Sequence, residues 1–339
     1  MMHAMTRRTV LAQLTAAGML SACAKAPQGT GKAVHIATGA GGLNLAMSEL
    51  MRQQKFLESF GLAPDVLPMA DGAKILSGVV GGSIDICPMS GFGQVFPAIE
   101  HGADLRIISA ATLRPELALF SGKPNVASLK DLEGKVVGVG AIGSLVHQLT
   151  VTLLRKYSVD VSRVRFVSIG SNIDIFKGVA AGTVDGGVGP SALIDSAGHY
   201  KVHALPNGDM SVELPDFTYQ AGWTSARLIA AKRDVLVRVL AAYAKLFRFV
   251  EQPSARDAFI QAHRTVAANV PEEEHVAEWN FLQAARPFAT DLVLSPERVR
   301  YIQQINVDFQ VQKQILPYEQ VVDSSLAQEA LKLLGTGAP

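Results

Sequence analysis

A chain of 339 residues with 48% hydrophobic content has material for a large buried core, and 31 Lys plus Arg against 30 Asp plus Glu leave almost no net field. That balance excludes a partner held by bulk charge, so nucleic acid is not expected. Beyond the N-terminal segment no stretch is long and apolar enough to cross a bilayer.

The first element is an export signal. Arg7-Arg8 give a positive start, and Val10 to Ala22 form an uncharged, mostly apolar run too short to span a membrane. Leu20-Ser21-Ala22-Cys23 closes the run like a bacterial lipobox, which makes residues 1–22 a signal peptide, Cys23 the lipidation site and residues 23–31 a tether. The run Thr6 to Leu11 resembles a twin-arginine signal, for export in the folded state; a Sec signal is the alternative. With lipid on Cys23, Cys87 has no partner, so no internal disulfide is expected in an oxidising compartment. Cys87 lies in the apolar run Ile84 to Met89 and reads as a buried, inert thiol.

About 310 residues remain, enough for two α/β lobes or one large domain. They carry a duplication. Ile75 to Asp85, with Gly78, Gly82, Ser83 and Ile84, reappears as Ile175 to Asp185, with Gly178, Gly182, Thr183 and Val184. Each copy reads as the last turns of a helix, a Gly suited to the left-handed position that ends it, and entry into a strand. Upstream, Gly31 to Thr38 is an apolar strand running into Gly39-Ala40-Gly41-Gly42 and a helix with Leu43, Ala46, Met47, Leu50 and Met51 on one face. Gly134 to Gly140 repeats this, running into Ala141-Ile142-Gly143-Ser144 and a helix carrying Val146, Leu149, Leu153 and Tyr157. Two parallel βαβ lobes follow. After Thr224 the pattern turns helical: Arg233 to Glu251, a helix from the Ser295-Pro296 cap toward Ile315, and Ser324 to Leu334, all expected on the first lobe.

With both copies in view, the chain resembles periplasmic solute-binding proteins of the type II fold, most closely the NMT1/THI5-like branch that serves ABC importers of sulfonates, taurine, nitrate and thiamine pyrimidine precursors. The resemblance runs from about Lys32 to Phe249 and rests on Gly78 to Asp85, Gly102 to Leu105, Ser128 to Lys135, Gly138 to Ser144 and Gly182 to Asp185. It implies a small-molecule ligand, an ABC-type permease as partner, no cofactor, no metal, no catalysis and a monomer tethered by its lipid. It also implies an α/β fold of two lobes, each a mostly parallel sheet flanked by helices, with the ligand cleft between them. Lobe 1 would comprise residues 32–113 and 222–339, and lobe 2 residues 114–221; the crossings would fall near Ala111 to Leu117 and Tyr219 to Thr224. The segment Thr38 to Gly42 also looks like the TAXI class of TRAP-transporter receptors, which leaves the transporter type open.

In such a fold ligands lie beyond the carboxyl ends of the strands, where the glycine-rich turns sit. Two helix N-termini, at Gly41-Gly42-Leu43-Asn44 and Ile142-Gly143-Ser144, would then face each other, offering free N–H groups to an anion. Asn44 and Ser144 add donors, and Ser90, Gly91, Ser171, Asn172 and Ser191 occupy equivalent strand ends. Arg114, in the first crossing, pairs with a sulfonate or carboxylate or is a solvated loop arginine beside Glu116. Trp223 and Phe92 either line the ligand or belong to the core. A small anionic organic molecule is the expected cargo.

Rival readings are weaker. Gly138 to Gly143 fits the dinucleotide pattern Gly-x-Gly-x-x-Gly, but Ser168 stands where the next strand should end in an acid for ribose. The cysteine-rich run of the fungal pyrimidine-forming relatives is missing. His199 and His203 have no further ligands to make a zinc site.

Overall fold

The computed structural model describes residues 32–69 and 72–335; the export signal, Cys23 and the tether lie outside them. The first half runs β1 (Lys32–Gly39), α1 (Gly42–Gln53), α2 (Phe56–Ser59), β2 (Leu62–Met69), α3 (Gly72–Gly81), β3 (Ile86–Ser90), α4 (Val95–Glu100) and β4 (Leu105–Thr112). Next come β5 (Leu117–Ser121), β6 (Val136–Val139), α5 (Leu145–Lys156), β7 (Arg165–Ser168), α6 (Asn172–Ala180), β8 (Gly186–Pro190), β9 (His203–Asp209) and α7 (Met210–Glu213). Strand β10 (Gln220–Ser225) leads into α8 (Ala226–Val250), α9 (Arg256–Val266), α10 (Glu272–Ala285), α11 (Pro296–Asp308), α12 (Tyr318–Val321) and α13 (Ser325–Gly335).

The strands form two five-stranded sheets, ordered β2-β1-β3-β10-β4 and β7-β6-β8-β5-β9. Helices flank both, as the sequence pattern requires. One strand in each runs against the rest: β10 is antiparallel to β3 and β4, and β5 is antiparallel to β8 and β9. In each sheet the odd strand, called here the exchanged strand, is the first that the chain forms after crossing from the other sheet, so the sheets are topological copies; β10 follows the whole second sheet in the chain, whereas β5 directly precedes the rest of its own.

The repeated sequence has a repeated job. Gly82 and Gly182 take φ of +81° and +73°, a region that penalises a Cβ. Ser83 and Thr183 donate their backbone N–H groups to the Gly78 and Gly178 carbonyls at 3.0 Å, closing the helix ends. The following aspartates reach back to equivalent strands, β1 and β6: Asp85 Oδ2 accepts from the His35 N–H at 3.0 Å, and Asp185 Oδ2 accepts from the Val136 N–H at 2.9 Å. The exchanged strand then latches on, Thr224 and Ser121 donating their hydroxyls to the Asp85 and Asp185 carbonyls at 2.6 Å each.

The chain crosses from the first sheet to the second between Thr112 and Leu117, where the sequence placed it, but returns between Glu213 and Gln220. The expected return at Tyr219 to Thr224 is too late because Gln220 to Ser225 already form β10. Arg298 of α11 ties both crossings, its Nη1 donating to the Leu113 carbonyl at 3.2 Å and its Nη2 to the Pro215 carbonyl at 3.1 Å.

Helix α8 begins seven residues before the expected Arg233 and kinks at Lys232 (φ −133°). With α9 and α13 it joins an apolar cluster on the first sheet that includes Leu236, Phe247, Phe259 and Leu326. Helix α11 departs from expectation twice. It stops at Asp308 rather than near Ile315, because the turn beyond it takes Gln310 to φ +59°. It also packs between the halves rather than on the first alone: Tyr301 meets Phe217 edge-on at 6.3 Å, and Phe309 meets His147 at 5.7 Å.

Candidate functional site

A cavity of about 470 Å³ lies where the carboxyl ends of strands from the two sheets approach. Ser90, Gly91 and Gln94 reach it from beyond β3, and Gly143, Ser144 and Gln148 from the start of α5. Four residues named from sequence, Ser90, Gly91, Gly143 and Ser144, are thus brought together from opposite halves. The turn before α5 forces Gly143 to φ +82°, which a glycine tolerates best. The Gly143 N–H donates to His147 Nδ1 at 3.0 Å, and burial holds that imidazole below its ordinary pKa, so it stays a neutral acceptor. Ser144 is the residue before the first turn of α5, yet its hydroxyl oxygen makes no capping bond and is buried without a partner. An unspent donor beside free helix N–H groups suits a ligand oxygen.

Among the described residues, the cavity lining holds no Asp, Glu, Lys or Arg. Its polar wall is an amide chain instead. Gln148 Nε2 donates to Asn306 Oδ1 at 3.2 Å, and Asn306 Nδ2 donates to the Gly93 carbonyl at 2.8 Å. The chain links α5, α11 and the loop after β3, so it joins the two halves at the cavity. Sequence reading passed over these side chains, although Gln303 and Asn306 break the otherwise apolar buried face of α11.

Other sequence-named residues fall elsewhere. Gly41 and Gly42 are exposed at the start of α1, and a Cβ on either would meet nothing within 4 Å. Asn44 is not a free donor: buried, it donates to the Met89 carbonyl at 2.9 Å and accepts from Gln220 Nε2 at 3.0 Å. Ser171 caps its own helix in a reciprocal box with Asp174. Ser191 donates its hydroxyl to Asp209 at 3.1 Å. Arg114 is exposed and forms no ion pair among the described residues. Trp223 has no exposed surface and pairs with Cys87 and Ile107 across the first sheet, so it is core and not a stacking platform. Phe92 is equally buried, against Phe96.

A second group lies where the chain changes sheets. Glu116 occupies the outward crossing, and its carbonyl accepts from the Ser191 N–H at 3.0 Å. Tyr219, on the return crossing, donates its N–H to the Thr112 carbonyl at 2.9 Å. Burial holds the Glu116 carboxyl well above the ordinary glutamate value, with the charge of Glu278 adding. Burial, helped by the charge of Glu274, pushes Glu278 of α10 up to about 7. Burial and then the Glu116 charge likewise raise the Tyr219 phenol. The sequence offers little sign of Glu278, which reads as one more acid in the run Glu272-Glu273-Glu274.

Two features bear on enzymatic rivals. Burial pushes the Cys87 thiol up to about 12, so it stays protonated and is a poor nucleophile. Gly138 answers to packing, since a Cβ there would stand 2.7 Å from Ile169 Cδ1.

A family model described as NMT1/THI5 like matches residues 50–253. No curated protein matches the chain in sequence. Among solved structures, the chain is similar to the periplasmic aliphatic sulphonate binding protein of Escherichia coli, with a TM-score of 0.70 at 17% identity over 86% of this chain and 92% of that one. It is similar to a putative sulfonate ABC transporter's periplasmic sulfonate-binding protein from Methylobacillus flagellatus KT, with a TM-score of 0.70 at 16% identity over 91% and 96% of the chains. A desulfurization enzyme, DSZB, matches with a TM-score of 0.63 at 13% identity over 89% and 99%. At these identities the likeness concerns the fold, which binders and an enzyme share.

Proposed function

The chain belongs to the NMT1/THI5-like family, and on that premise we propose that it is an extracytoplasmic solute-binding protein that delivers a small organic molecule to an ABC importer. The observation that carries the reading is the cavity built jointly by Ser90–Gly91 and Gly143–Ser144, with the Ser144 hydroxyl unpartnered. A ligand held by both halves stabilises the closed arrangement, and the permease reads that arrangement. The buried thiol of Cys87 favours binding over a cysteine-dependent reaction. The N-terminus of α5 suits an oxygen-rich or anionic part of the ligand. In this reading residues 1–22 are removed, Cys23 carries lipid and the protein stays near its permease at the membrane surface.

Thermal-shift and calorimetric titration across sulfonates, carboxylates, amines and nucleobases tests the binding role, with spin labels on exposed Ile142 and Leu67 reporting closure. Saturating ligand should raise the melting temperature and shorten the label distance. A distance unmoved by every stabilising ligand would remove the closure mechanism. Mass spectrometry of the mature protein from membranes tests Cys23: an unmodified N-terminus there would remove the lipid anchor.

A further inference from the structure

We propose that Gln148 is the specificity-determining residue of the cavity and that its Oε1 accepts a hydrogen bond from an uncharged hydroxyl group of the ligand. The inference rests on the binding-protein reading and deepens it by naming ligand chemistry. Gln148 is only 5% exposed, and it lines the cavity from the first turn of α5. Its Nε2 is spent on Asn306 Oδ1, whereas no donor among the described residues reaches its Oε1. That oxygen stands 3.9 Å from where a Cβ on Gly93, another lining residue, would lie.

A glutamine amide can turn over and offer either group, but here a buried relay fixes which one meets the ligand. The relay starts at backbone groups, whose polarity cannot reverse. Leu316 donates its N–H to Gln303 Oε1 at 2.8 Å, and Gln303 Nε2 donates to the Leu316 carbonyl at 3.1 Å. Gln312 Nε2 donates to Gln303 Oε1 and to the Gln314 carbonyl at 2.7 Å each, which leaves its Oε1 to accept from Asn306 Nδ2 at 3.2 Å. Because that Nδ2 also serves the Gly93 carbonyl, Asn306 turns its oxygen toward Gln148. Reversing any one amide would set oxygen against oxygen or N–H against N–H among buried groups. An acceptor at the cavity end calls for a donor on the ligand. With no acid in the lining among the described residues, an ammonium has no counter-charge, so the donor is uncharged. Ser144, four residues earlier on the same face of α5, keeps an unpartnered hydroxyl. A ligand hydroxyl can both donate to Gln148 and accept from such a neighbour.

The test is calorimetric titration with triads that differ at one group: isethionate, 2-methoxyethanesulfonate and ethanesulfonate; lactate, 2-methoxypropionate and propionate; 4-hydroxybenzoate, 4-methoxybenzoate and benzoate. In at least one triad the hydroxyl member should bind about 10-fold tighter than the unsubstituted one, and the methoxy member, which only accepts, should gain nothing. Gln148→Met keeps the length of the side chain and should abolish that preference. Asn306→Leu releases the Gln148 amide to turn over, so the methoxy member should gain several-fold over its affinity for the parent, which lost structural support alone would not produce. A folded Asn306→Leu without that gain overturns the relay; if this variant does not fold, the parent triads and Gln148→Met decide. A methoxy member binding the parent as tightly as its hydroxyl partner, or an undiminished hydroxyl preference in Gln148→Met, overturns the subsite and leaves the binding role standing. Binding confined to compounds without a hydroxyl, in the triads or in the wider screen, does the same. No binding in the triads, together with no response to any compound in the wider screen, overturns both.

Discussion

Asp85 and Asp185 do the same work in different company. Each accepts an N–H from the equivalent strand of its sheet, β1 or β6, and each offers its carbonyl to the exchanged strand. Asp85 is also joined by Lys232 at 2.7 Å, from the kink of α8, while Asp185 has no ion pair among the described residues. The difference extends outward, since α8, α9 and α13 give the first sheet a large additional apolar cluster, whereas the second sheet has a smaller one around Phe120 and Phe176. The repeated motif fixes topology, and the appended helices decide how heavily each copy is supported.

The largest test of that contrast is Phe247→Ala, which removes a buried ring stacked on Phe288 at 5.1 Å. A loss of about 3–5 kcal/mol is expected, with Phe176→Ala in the second half costing about 3 kcal/mol, both read from urea midpoints. One shared transition in both variants would show the halves unfolding together, as the apolar cluster running through both implies. Two transitions would break that view.

Next in size, Asp85→Ala should cost about 3 kcal/mol and Asp185→Ala about 2 kcal/mol, the surplus reflecting the stranded Lys232. Equal losses would mean that the lysine, itself 40% exposed, adds nothing.

A pH effect of comparable size is expected at the crossings. A glutamate raised in the folded state favours folding while protonated, so its contribution is complete at and below the ordinary value and fades as pH rises. For Glu278 the fading spans roughly pH 4.5 to 7. Glu278→Gln should therefore melt like the parent near the bottom of that window and exceed it by on the order of 2 kcal/mol above it. Parallel melting curves across the range would contradict the burial of that carboxyl. The smallest effects belong to Gly82→Ala and Gly182→Ala, about 1 kcal/mol each from positive φ. The two should be close in size, because the atoms nearest each added Cβ are the ends of the flexible Arg227 and Lys123 side chains, which can move aside. Differential scanning calorimetry can compare the two.

Much of the architecture could be read from residues because the duplication states it twice: Gly82 and Gly182, Asp85 and Asp185 mark the same corner of each sheet. The exchanged strands were harder to place. Gln220 to Ser225 looks like a crossing until its ladder with β3 and β4 is seen, since pairing across some 110 residues leaves no local trace. The site was half legible. Ser90, Gly91, Gly143 and Ser144 follow from glycine-rich turns at strand ends, whereas Asn44 and Trp223 lie buried away from the cavity, and polarity or aromaticity alone does not reveal burial. Asn306 comes from a distant segment, and only the packing of α11 brings it to the cavity.

The strand exchange also orders the making of the protein. Every strand of the second sheet lies between Leu117 and Asp209, so that sheet can close on a ribosome-bound chain as soon as this stretch emerges. The first sheet starts earlier in the chain yet lacks its fourth strand until Ser225 has been synthesised. Vectorial synthesis thus finishes the later half first, and β1 to β4 must wait with an open edge. Arrested nascent chains just long enough for Asp209 to have left the exit tunnel should show a protease-resistant second half and a digestible first half, and resistance in the reverse order would refute that sequence of events.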